Sequence, residues 1–68
     1  MPEKWTGDVV GRMHTHRIKM EELAAQLGWH PKYLSLVING HRHPSTAEVK
    51  VTAALNQIIA ERKEADNN

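Results

Sequence analysis

Five histidines, nine lysines or arginines and eight carboxylates are the groups in this 68-residue chain that can do chemistry. Two histidine pairs stand out, His14-Thr15-His16 and His41-Arg42-His43. Two imidazoles share a metal ion only if they face one point. On a helix, side chains two residues apart point about 200° away from each other, so His14 and His16 cannot chelate one ion. His41 and His43 could do so in an extended loop, but no cysteine and no nearby acid completes a zinc site. No metal and no other cofactor is therefore expected. A nucleophile with a base and an orienting group, a glycine loop for phosphates and a paired-carboxylate pocket are all missing from the sequence, which argues against an enzyme.

The net charge is only +1, yet the charges are unevenly spread. Acids stand at Glu3, Asp8, Glu21, Glu22 and Glu48, then at Glu61, Glu64 and Asp66. None occurs from Leu23 to Ala47, a stretch that carries His30, Lys32, His41, Arg42 and His43. A surface without carboxylates approaches phosphates at little electrostatic cost even when few cations line it. The chain has no cysteine, no apolar run long enough to span a membrane and no signal-peptide core, so a cytoplasmic protein without membrane contact is expected. Its length predicts one domain over residues 1–68, ordered from about 5 to 63.

Hydrophobic spacing predicts only helices. A first helix is expected from about 6 to 17, capped by Thr6, with Asp8 in its first turn and Trp5 and Val10 forming a hydrophobic staple. Val9, Val10, Met13 and Ile18 would give its buried stripe. Met20, Leu23, Ala24 and Leu27 recur at the spacing of one apolar helix face, predicting a second helix over 20–27 that Gly28 stops. Pro31 suits the first position of a third helix running to about Asn39, with Gly40 as its stop and Tyr33, Leu34, Val37 and Ile38 turned inward. Ser45 and Glu48 form a capping box for a fourth helix reaching about Lys63, after a His41–Pro44 loop. The fold class is all-α, a small four-helix bundle whose last helix is long. Residues 1–5 and 64–68 are expected to fray.

About three residues around a glycine join the second and third helices, which makes them a helix-turn-helix. Leu23, Ala24, Leu27, Trp29, Leu34 and Val37 would be its buried positions, with Ala24 small because the third helix crosses there. The stretch MEELAAQLGWHPKYLSLVINGHRHPS resembles the helix-turn-helix of the phage repressor and Cro-like proteins, the XRE family. Leu-Ala, Leu-Gly, Tyr-Leu-Ser, Asn-Gly and Pro-Ser fall in register with the family pattern. The chain departs from it at four places. Met20 stands where a glutamine that touches the DNA backbone is common, and Leu36 where a polar or arginine reader of bases is common. Ile38 replaces a frequent glutamate and would meet the fourth helix or another chain; Trp29 replaces a smaller valine.

The resemblance implies a lambda-repressor-like fold and double-stranded DNA as partner, with the third helix in the major groove. His30, Pro31, Lys32, Ser35, Leu36 and Asn39 would face outward. Lys32 can reach guanine O6 or N7, or a phosphate; Ser35 can bond to several bases; Leu36 meets a thymine methyl or packs inside. Asn39 either lies beside a phosphate or only caps its helix. His41, Arg42 and His43 would follow the sugar-phosphate backbone, and Lys19 is a further phosphate contact. On the fourth helix a second apolar stripe, beside that of Val51, Ala54, Leu55 and Ile58, predicts a homodimer through Val49, Ala53, Asn56, Ile59 and Arg62. The function expected is a sequence-specific, Cro-like, phage-type transcriptional repressor that occupies an operator. The alternative is an interaction module, antirepressor-like or antitoxin-like, that keeps the scaffold and binds a protein.

Overall fold

The computed structural model describes residues 3–66, which form α1 (Lys4–Thr15), α2 (Met20–Leu27), α3 (Pro31–Ile38) and α4 (Ala47–Asp66). No strand occurs among the described residues. α4 packs against α1 and α2, and α3 against α2. All four helices contribute to one core, in which Leu23, Leu34, Val51 and Leu55 are the fully enclosed large side chains. Ile38, which stands where the resembled pattern has a glutamate, is buried in the core of its own chain. Trp5, Met20, Leu27 and Trp29 close its margins. No helix of the described residues is long and apolar enough to cross a membrane.

α2 and α3 begin as their sequences predict. The Glu22 carboxylate accepts the Lys19 backbone N–H at 3.2 Å, filling one orphan donor at the start of α2. Pro31 opens α3 behind His30, whose Nδ1 accepts the Lys32 N–H at 3.0 Å. α1 begins earlier than expected. Thr6 is not its cap but a buried residue inside the first turn, and its hydroxyl donates to the Glu3 carbonyl at 2.6 Å. With Glu3 as the cap, Trp5 and Val10 no longer occupy staple positions, and Val10 stands 44% exposed. The described part of the expected frayed start, from Lys4, is already helical; residues 1 and 2 lie outside the described residues.

α4 departs from its predicted start in the same way. Ala47 donates its N–H to the Pro44 carbonyl at 3.0 Å, and Lys50 bonds to the Thr46 carbonyl at 3.0 Å. The turn that buries Ala47 shifts the first helical residue to 47, so the Ser45–Glu48 box is out of register. At its far end α4 continues through residue 66 rather than stopping near Lys63; residues 67 and 68 lie outside the described residues.

The first three helices end alike. Ile18 donates to the Met13 carbonyl at 2.8 Å and Arg17 to His14 at 3.2 Å. Trp29 and Gly28 repeat this on Ala24 and Ala25, and His41 and Gly40 on Leu36 and Val37. Each pair is a Schellman closure around one residue of positive φ. Gly28 (φ 74°) and Gly40 (φ 81°) take it without a Cβ clash, whereas Arg17 (φ 56°) takes it with one. α1 therefore stops at Thr15, two residues before its predicted end. Arg17→Gly should stabilise the protein by about 0.5–1 kcal/mol, the relieved clash less glycine's entropic cost. Gly28→Ala, where nothing crowds the added methyl but φ is positive, should destabilise it by about 1 kcal/mol. Urea midpoints of the two variants, moving in opposite directions, check both.

Arg62 ties the end of α4 to the helix-turn-helix. Its guanidinium donates to the His16 carbonyl, to the Arg17 carbonyl at 3.0 Å and to the Glu22 carboxylate at 2.6 Å. The carbonyls left open where α1 stops are thus filled from α4. The Lys19 backbone N–H and then Arg62 hold the Glu22 carboxyl below its ordinary value. A lowered carboxyl stabilises the fold above the ordinary range near pH 4.3, and that contribution fades as pH falls through the lowered value. Glu22→Gln should lower the urea midpoint at pH 7, with the two curves converging below about pH 4. A difference that persists unchanged at acid pH would show the ion pair to be irrelevant.

Candidate nucleic-acid interface

α3 turns Leu34, Val37 and Ile38 inward and keeps Lys32, Ser35, Leu36 and Asn39 on the opposite side. These four stand at i, i+3, i+4 and i+7, one continuous ridge along the helix. Lys32 and Asn39 are exposed, while Ser35 and Leu36 are half-buried between them. His30 and Pro31 lie at the N-terminal end of the same helix, His30 exposed and Pro31 half-buried. Because His30 Nδ1 accepts a hydrogen bond, its proton sits on Nε2, the nitrogen left for an outside partner. Lys19, just before α2, is also exposed.

Side chains pack or bond at both ends of the ridge. The Trp29 indole packs edge-on against the Tyr33 ring, centroids 5.0 Å apart and planes 84° apart. Tyr33 itself, expected inside, is 37% exposed. At the other end Asn39 donates from Nδ2 to the Ser35 carbonyl at 2.9 Å and to the Ser35 hydroxyl oxygen at 3.2 Å. Capping is therefore part of what Asn39 does here.

His41, Arg42 and His43 all project from the loop between α3 and α4 and are exposed. Arg42 donates to the His41 carbonyl at 3.0 Å. The loop meets an acid that its own sequence lacks. Glu3 Oε1 lies 3.2 Å from His43 Nδ1, and its Oε2 accepts the Trp5 indole N–H at 2.6 Å. Glu3 and Glu48 both line a hollow with Arg42 and His43. The acid-free stretch is thus acid-free along the chain but not in space. Forty residues separate Glu3 from His43, and no local pattern could have paired them.

The residues expected at a dimer contact do not form one open face. Val49 is 74% exposed and Ala53 is exposed, but Ile59 is buried in the chain's own core at 7%. Asn56 accepts a hydrogen bond from Arg12, and Arg62 is committed to its own chain. Ile59 joins the same core as the first stripe, while Val49, Ala53 and Asn56 stay exposed.

A family model described as a helix-turn-helix matches residues 15–58, well over half of the chain. No curated protein and no solved structure matches. The matched span opens in the last turn of α1, contains α2, the Gly28 turn and α3 whole, and ends in α4 where the core closes. The chain therefore belongs to the XRE family of phage repressor and Cro-like helix-turn-helix proteins, and is a DNA-binding transcription regulator.

Proposed function

We propose that the protein is a sequence-specific, Cro-like repressor of phage type, which acts in the cytoplasm by seating α3 in the major groove of an operator. The observation that carries this is the outward ridge of Lys32, Ser35, Leu36 and Asn39, exposed at both ends and half-buried between, on a helix whose other side buries Leu34, Val37 and Ile38. A rigid ridge with one cation, two polar groups and one apolar group has the means to read a groove edge. Lys32 addresses guanine or a phosphate, and Leu36 offers its accessible half to a thymine methyl. His30, Pro31 and Lys19 flank the ridge, and Arg42 with His41 and His43 contacts the backbone.

Selection of random duplexes on the purified protein should enrich one motif, with binding that weakens as salt rises. Arg42→Ala should weaken preferred and random duplexes by the same factor and lower the log–log salt slope by about 0.9. Lys32→Ala combined with Ser35→Ala should abolish the preference while the fold persists. A wild-type chain that binds no fragment better than random duplex sinks this reading and leaves the scaffold to a protein partner.

The repressor acts as a homodimer. One ridge covers few base pairs, and a two-fold pair reads two half-sites about 34–36 Å apart. Val49 and Ala53, the open apolar groups of the expected interface, support a contact through the first half of α4. Val49→Glu should shift the protein to monomer in sedimentation velocity and turn an enriched palindrome into a single half-site. An unchanged dimer would place the contact elsewhere.

A further inference from the structure

Two hydrogen bonds give the Ser35 hydroxyl a polarity. The atom of Asn39 that faces the Ser35 carbonyl at 2.9 Å has to be the amide nitrogen, because a carbonyl oxygen only accepts. The same NH2 group lies 3.2 Å from Ser35 Oγ and has a second proton to give. Oγ therefore receives a bond and keeps its own proton to donate. A helical serine or threonine commonly spends that proton on the carbonyl four residues back. Thr15 does so, donating to Gly11 at 3.0 Å. Among the described residues Ser35 makes no such bond, and its hydroxyl sits half-exposed on the ridge beside Lys32 and Leu36.

We propose that Asn39 is a positioning residue that presets the Ser35 hydroxyl as an outward donor, whose ligand is a hydrogen-bond acceptor on the duplex. This rests on α3 entering the groove. Guanine O6 and N7, adenine N7, thymine O4 and phosphate oxygens all accept. The major-groove edge of cytosine offers a donor, so a preset hydroxyl disfavours cytosine at the position it faces. Asn39, a cap by location, thereby sets specificity through the Ser35 hydroxyl.

The test compares the full-length chain with Ser35→Ala, Asn39→Ala and their double variant in duplex selection, followed by titration of the preferred duplex and of single-position variants. Wild type should exclude cytosine at one half-site position. Each single variant should lose about tenfold of that discrimination, and the double variant no more than either. If the acceptor is a phosphate, each variant instead weakens all duplexes by the same factor, again without further loss in the double. Asn39→Asp guards against a capping defect, with folding checked by thermal melting. Its carboxylate only accepts and draws the serine proton inward, so discrimination falls while the ratio of preferred to random binding cancels the added charge. Wild-type binding that Ser35→Ala leaves untouched, or a Ser35→Ala effect that neither Asn39 variant reproduces, overturns the proposal alone. A wild type that selects no duplex overturns it together with the groove reading.

Discussion

A helix of eight residues has no stability of its own in water, and the helix-turn-helix of this protein is built from two of them. What holds them is the burial of Leu23 and Leu34 against Val51 and Leu55 of α4. Fully burying one such side chain contributes about 1.5–3 kcal/mol, comparable with the entropy of ordering one or two residues. α4 packs against α2, and α2 against α3, so α4 is the support on which the motif is assembled.

Polar closure finishes what burial starts. Three successive helix ends use the same pair of backbone bonds, so each chain reversal is fixed locally within six residues. At two of these ends the next residue, Ile18 or Trp29, drops into the core or onto its margin. At the third it is His41, which stays outside and starts the basic loop. One backbone device thus makes both a core turn and an exposed basic loop, with the following side chain deciding which. Arg62 adds a long-range polar tie, bringing a cation to carbonyls that α1 leaves open and to the carboxylate that starts α2.

The helix-turn-helix was legible because its signals are local and agree. The Met20–Leu27 stripe, Gly28, Pro31 and Gly40 each act within one turn of helix, and both helices begin where these residues say. α1 and α4 were less legible because a hydroxyl near a helix start serves equally as a cap or as a buried group. Thr6 turned inward to complete the stripe with Val9 and Met13, and the Pro44 turn displaced Ser45 from the cap. Ile59 and Arg62 could be placed on a stripe by spacing, but only the packing of α1 and α2 against α4 decides that both serve their own chain. The Glu3 carboxylate beside His43 was invisible for a plainer reason: proximity across 40 residues is a property of the fold. The spacing of Ser35 and Asn39 was in plain view, whereas the direction of the proton between them required coordinates.

The position of Trp29 has a use in the laboratory. Its indole sits at the corner between the two short helices and touches a tyrosine on the second of them. The chain's other indole, Trp5, lies on α1 with its N–H held by a carboxylate. Replacing Trp5 by phenylalanine would leave a single tryptophan, excitable apart from Tyr33, at the hinge of the motif. Its emission would follow docking of the helix pair in unlabelled protein, independently of the signal that reports melting of the whole molecule.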